Sequence, residues 1–286
     1  MFRVHKNMIV IVWILMSLAA CLSSTNKALS PPHYDLDKPE KFFMPASLLE
    51  ISGITFHNGN SDTVYAIQDE EGRLFRLAWH EKKQFNVKFG KKGDYEDVTM
   101  LKDKVIVLKS NGVLYSFPFN ERVYEEAENV HEIKHVLPEG DEYEGVYADE
   151  ASGKIYVLCK NCMADDSKKA VTGYILQGND TVQLAGQFTI DVLQIKAIEG
   201  KVKRGFRPSG LAQNPITKEW FIISAVNKFL VVTDSNWQVK EVYTLNGNTF
   251  NQPEGIAFDK SGNLYISNEG DDLSEGNILK FVRKEN

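Results

Sequence analysis

Three glutamates and two serines occupy equivalent places in a pattern that recurs along the chain. They are Ser52, Glu96, Glu144, Ser209 and Glu254, in the segments Ile51-Ser52-Gly53-Ile54, Tyr95-Glu96-Asp97-Val98, Tyr143-Glu144-Gly145-Val146, Pro208-Ser209-Gly210-Leu211 and Pro253-Glu254-Gly255-Ile256. Carboxylates drawn to one place raise each other's pKa unless a cation compensates. Calcium suits such a cluster, because it takes about six to eight oxygen ligands in flexible geometry. Asp69, Glu70, Asn227, Asn268 and Glu269 follow the next strand-like segments and are expected near the same place. The expected metal ligands are Glu96, Glu144, Glu254, Asp69 and Glu269. A plainer reading has the glutamates accept backbone N–H bonds at strand starts and reach Lys109 or Lys160.

Other chemistry is less well supplied. The six histidines are His5, His33, His57, His80, His131 and His135, and none falls at a repeat's glutamate or serine position. No Gly-x-Ser-x-Gly elbow exists to present a nucleophile. Cys159-Lys160-Asn161-Cys162 lacks the strand-then-helix setting of a redox motif. A local Cys159–Cys162 disulfide is the expected reading outside the cytosol, with free thiols as its rival.

The elements that must position these residues follow from the repeat. From Ser52 the successive spacings are 44, 48, 65 and 45 residues, and three of the four suit a propeller blade of roughly 40–50. Each start is followed by a β-branched or aromatic second strand, such as Val64–Ile67 or Phe221–Ser224, and by a third, such as Leu74–Leu77 or Ile278–Phe281. The expected fold is all-β, a five-bladed β-propeller. The segment around Lys41–Met44 has no blade of its own and is expected to close the last blade. The long interval after Glu144 holds Gln187–Val192 and the basic residues Lys196, Lys201, Lys203, Arg204 and Arg207. It reads as an extended hairpin or loop on blade 3, with a degenerate sixth blade as the alternative. In a propeller the first strands line the channel, so the glutamates should ring one channel mouth.

The segments EISGITF, YAIQDEEGRLFRL, GDYEDV, YEGVY, PSGLA and QPEGIAFDKSGNLYISNEG resemble the SdiA-regulated family of bacterial β-propellers over about residues 45–283. That resemblance implies a five-bladed ring related to NHL and lactonase-type propellers, with an associated calcium ion. It implies no defined reaction.

The chain starts with Arg3 and Lys6 before an apolar run from Met8 to Ala20. Thirteen residues are too few to span a bilayer as a helix, which needs about 20, and suit a signal peptide. Leu18-Ala19-Ala20-Cys21 resembles a lipobox, so Cys21 is the expected lipidation site, carrying palmitate or a similar acyl chain. Expected domains are a signal peptide over 1–20, the lipidated Cys21 with a flexible tether over 21–40, and the propeller over 41–286. Removing 1–20 leaves 31 basic against 39 acidic residues, a net charge of −8. That balance argues against a general nucleic-acid binder. The composition, 43% hydrophobic and 25% charged, excludes disorder as the main state. The combined expectation is a monomeric envelope lipoprotein on a bacterial membrane. It would bind an envelope protein or small ligand at a calcium-bearing mouth, without being an enzyme. The alternative is a calcium-dependent lactonase or esterase-like hydrolase.

Overall fold

The computed structural model describes residues 29–79, 84–122, 125–178 and 181–285. The expected signal peptide, Cys21 and tether residues up to 28, with His5 and His80, lie outside the described residues. Five four-stranded antiparallel sheets form the blades. A first strand, β1 (Glu40–Phe43), precedes them. Blade 1 is β2 (Ile51–Thr55), β3 (Thr63–Gln68), β4 (Arg73–Ala78) and β5 (Phe85–Lys88). Blade 2 is β6 (Tyr95–Leu101), β7 (Lys104–Lys109), β8 (Leu114–Pro118) and β9 (His131–Ile133). Blade 3 is β10 (Glu142–Asp149), β11 (Lys154–Asn161), β12 (Ala170–Gln177) and β13 (Gln183–Asp191). After the helix α1 (Val192–Glu199) comes blade 4: β14 (Gly210–Gln213), β15 (Trp220–Ser224), β16 (Phe229–Thr233) and β17 (Val239–Thr244). Blade 5 is β18 (Pro253–Phe258), β19 (Leu264–Asn268) and β20 (Asn277–Phe281), completed by β1, whose Phe42 lies opposite Ile278. The ring is thus closed by a strand from the other end of the chain, which covers an edge that would otherwise be open.

Alternation along each strand explains the packing. In β15, Phe221 and Ile223 face blade 5 with Leu264, Ile266 and Leu279, whereas Trp220 and Ile222 face blade 3 with Leu158, Phe188 and Ile190. Both faces of a middle strand are therefore covered, and β15, β16 and β19 are buried at every position. Outer strands such as β13 are half solvated and alternate in exposure. Each core cluster joins two neighbouring blades. Between blades 3 and 4, Trp237 stacks on Phe188 with ring centroids 3.6 Å apart and on Trp220 at 4.5 Å. Trp237→Ala should lower stability by about 2–3 kcal/mol in urea unfolding. A loss under about 1 kcal/mol would show that the stack is not a structural brace.

The long interval after Glu144 holds the expected extended hairpin on blade 3, β12 with β13, and not a sixth blade. Gln183–Asp191 is the ordinary fourth strand of blade 3, paired along β12. The extra length goes into α1, capped by Asp191 accepting from the Leu193 N–H and ended at Gly200, and into the segment to Arg207. Only Val192 and Ile195 of α1 are buried, which leaves too weak a stripe for a 3.6-residue period to show. Part of the 21–40 stretch expected as a tether is docked on the ring. Tyr34 and Leu36 are buried against blades 4 and 5, the Tyr34 hydroxyl donates to the Gly262 carbonyl at 2.7 Å, and Asn214 donates to Tyr34 at 3.0 Å. An aromatic and a leucine in that stretch gain more by burial than by hydration.

Candidate metal centre

The first strands are irregular where the repeat places its acidic or serine residue. Pairing slips between Ile51 and Ile54, between Tyr95 and Asp97, between Tyr143 and Gly145, and between Pro253 and Ile256. Each slip is a β-bulge, a device that re-aims a side chain out of the ladder. The bulged positions include Glu96, Glu144 and Glu254, from blades 2, 3 and 5. Blade 4 pairs regularly from Gly210 opposite Ile223 and offers Ser209 instead.

In four of the five repeats the next residue is a glycine, which lets the blades come close. A Cβ on Gly145 would stand 2.7 Å from Leu211 Cδ2, and one on Gly210 2.7 Å from the Glu254 carbonyl oxygen. A Cβ on Gly53 would overlap the Asp97 carboxylate. Blade 2 has Asp97 at the glycine's place. Its buried carboxylate accepts from Val98 N and Val146 N, both at 2.8 Å, joining blades 2 and 3. The two serines serve the same ring. Ser209 Oγ donates to the Pro253 carbonyl at 2.6 Å and accepts from Ala225 N, while the Ser52 carbonyl accepts from Ser267 Oγ.

At the mouth the carboxyls act on one another electrostatically. Burial, then Glu144, pushes Glu96 up to about 10. Burial, then Glu269, pushes Glu254 up to about 8. Glu269 reaches about 7 through burial, Asp69 and Glu50, and Asp69 about 6 through burial and Glu50. Burial also raises Glu144, against the opposing pull of Lys160 and a hydrogen bond from Glu96. Lys160 Nζ donates to Glu144 Oε1. The Lys160 ammonium is itself desolvated by burial, but Glu144, Glu254 and Glu96 outweigh this and hold it above its ordinary pKa.

The five expected metal ligands are thus in one electrostatic cluster. Asp94 and Glu50 join it without having been singled out. Each stands immediately before a first strand, so the signal was its position one residue ahead of the repeat. Lys160 answers the plainer reading for Glu144. Lys109 instead lies 5.4 Å over the Tyr95 ring. Asn227 is not part of the mouth cluster: its Oδ1 accepts from Arg207 N and its Nδ2 donates to the carbonyls of Lys203 and Gly205, bracing the basic segment.

The donor set suits a hard cation, since it is made of oxygens, and the buried Asp69 Oδ1 has no hydrogen-bond partner. The carboxylates are spaced too widely to chelate as they stand. Among the described residues, the trio with donor atoms all within 4.8 Å of one another is Asp141, Cys159 and Cys162. Its two sulfurs are joined in a disulfide, Cys159–Cys162, and are not thiolate ligands. The described histidines sit elsewhere: His33 contacts the Lys284 carbonyl, His57 lies against Phe119, His131 is in β9 and His135 pairs with Glu139. At the opposite end the channel widens into a cavity of about 320 Å³ lined by Thr55, Thr99, Tyr147, Gln213 and Phe258 among others.

The SdiA-regulated family model matches residues 188–272, from the end of blade 3 through blade 4 into blade 5. A search of the curated proteins finds no sequence match. Among solved structures, the chain is similar to the glutaminyl cyclase of Myxococcus xanthus, with a TM-score of 0.55 at 13% identity over 86% of this chain and 98% of that one. It is similar to a luciferin-regenerating enzyme, with a TM-score of 0.53 at 11% identity over 86% and 95% of the two chains. A calcium-binding protein, regucalcin from Agrobacterium tumefaciens, gives a TM-score of 0.52 at 13% identity over 88% and 93%. Such low identities speak for the fold alone. The ring of five sheets makes the chain a five-bladed β-propeller, and its residues 188–272 are similar to the SdiA-regulated family.

Proposed function

We propose that this propeller is an envelope binding module whose acidic mouth holds a calcium ion. The observation that carries the reading is the clustering of one buried and four half-buried carboxyls from four blades: Glu144, with Asp69, Glu96, Glu254 and Glu269. Among the described residues, Lys160 is the cation bonded to them. Isolated buried carboxylates are costly, and a divalent cation removes that cost. Glu96, Glu144, Glu254, Glu269 and Asp69 would hold the ion, which would supply a positive centre for an anionic or carbonyl-bearing ligand. The regucalcin likeness gives weak added support, since that protein is described as calcium-binding.

Residues 18–21 support an acylated Cys21 as the membrane link. Tyr34 docks on Gly262 and Asn214, which lie in turns at the end of the ring away from the glutamates. A chain anchored at Cys21 would thus turn its acidic mouth away from the membrane. The hydrolase reading rests on Glu254 and Glu269, which titrate near neutrality and are suited to proton transfer beside an ion.

Calorimetric titration with calcium at pH 7.5 tests the binding. We expect one ion per chain and release of at least about one proton, read from buffers of different ionisation enthalpy, because ligands must be deprotonated. Glu254→Gln should weaken binding about tenfold or more. Unchanged affinity in that variant would remove Glu254 from the site, and no heat in the parent protein would end the calcium reading.

A further inference from the structure

The mouth already contains a cation, and the fold holds it there. Lys160 lies on β11 across from the bulge that aims Glu144, in a stretch where Tyr143 pairs with Cys159 and Glu142 with Asn161. The Cys159–Cys162 disulfide closes a ring of four residues around it. Asp141 ties down the far side by accepting from Met163 N at 2.7 Å, and the Cys162 carbonyl accepts from Asp165 N at 3.0 Å. Cys159 and Cys162 are themselves buried in the core between blades 2 and 3. A lysine stem normally snorkels toward water. Here the backbone around it is clamped and its ammonium is directed to Glu144, within the field of Glu96 and Glu254.

We propose that Lys160 is a tethered counter-ion of the carboxylate ring, held in place by the Cys159–Cys162 disulfide, and that it competes with a divalent cation for the same oxygens. Its competition with a metal rests on the calcium reading above; its role in the metal-free protein does not. A site whose negative charge is already part-neutralised rejects weakly attracting cations. Only an ion that repays the displacement of the ammonium should enter, so Lys160 sets the site's selectivity as well as its affinity.

The test uses the whole soluble chain. In EDTA at pH 7.5, Lys160→Met should lower the thermal midpoint by about 5 °C or more, because it leaves the buried Glu144 carboxylate without its counter-ion. Lys160→Arg should stay close to the parent. Glu144→Gln added to Lys160→Met should recover much of the loss, which also covers the case where the single variant folds poorly. No loss in Lys160→Met, or no recovery in the double variant, overturns the counter-ion role. With calcium, Lys160→Met should bind at least about tenfold tighter than the parent; equal or weaker binding overturns the competition. If neither protein binds calcium, the calcium reading falls while the EDTA result still decides the counter-ion role. Repeating the EDTA comparison in a Cys159→Ser/Cys162→Ser background tests the tether. The effect of Lys160→Met should at least halve there, and an undiminished effect would show that the disulfide does not hold the lysine.

Discussion

Glu96→Gln is expected to make the metal-free protein more stable at pH 8, raising its thermal midpoint by about 5 °C or more. Glu96 sits in the ring with its proton held up to about 10 by burial and by Glu144, against an ordinary value of 4.5. The native state therefore keeps a proton that the unfolded chain gives up above pH 4.5. Stability from this group is full below that pH and falls as pH rises from 4.5 toward 10. Each pKa unit corresponds to about 1.4 kcal/mol, so even a heavily discounted share of the window amounts to a few kcal/mol at pH 8. Glutamine keeps the shape and can donate to Glu144 as the protonated acid does, without the titration. The gain should shrink toward zero as the buffer approaches pH 4.5. Saturating calcium should narrow it at pH 8 as well, since an ion would stabilise the parent's ionised carboxylate. A lower midpoint for Glu96→Gln at pH 8 would mean that the ring needs the ionised Glu96, and would sink this account.

Gly255→Ala should be among the most damaging single substitutions in the ring. A Cβ there would overlap the Ser52 carbonyl oxygen and Ser267 Oγ, and would stand 3.1 Å from Gly53 Cα. The obstacle is mainly backbone, on the innermost strand of the neighbouring blade, so rotamer changes cannot relieve it. The contact is also the junction where blade 5 meets blade 1 and closes the ring. Overpacking of a rigid core costs roughly 1–3 kcal/mol and more where nothing can yield. We expect a loss of about 3 kcal/mol or more, measured by urea unfolding, or failure to fold cooperatively. Gly186→Ala is the control. Its Cβ would meet only Ile175 Cδ1, at 3.9 Å, and the substitution should be neutral or slightly stabilising. Equal effects from the two would show that blade spacing does not depend on these glycines.

The two predictions rest on features with different visibility in the sequence. Ser/Glu followed by Gly recurs in four of the five repeats, and both members of the pair have a physical reason. The first sits on a bulge at the mouth in three of those repeats, and the second lets inner strands approach. Largely apolar second strands such as Phe221–Ser224 were legible because both faces are covered by neighbouring blades. Half-solvated fourth strands were fainter, and Gln187–Val192 was legible as part of a hairpin or loop on blade 3, where the strand runs over Gln183–Asp191. The helix α1 escaped because its core is two residues. Asp94 and Glu50 escaped because they stand one residue ahead of the repeat and are exposed, acting on the ring only through their charge.

What the amino-acid sequence determined by itself is therefore the local and periodic part. It specified strands of period two, turns at glycine, a unit of roughly 45 residues, a strand left over to close the ring, and glutamates at equivalent positions. Each of these depends on neighbours a few residues away or on the repeat itself. The tertiary structure decided the docking of Tyr34 and Leu36, and the placing of Lys160 among carboxylates contributed by several blades. Those outcomes depend on the curvature of the ring. It brings residues separated by dozens to hundreds of positions into one small, poorly solvated volume, and there their charges and shapes act on each other for the first time.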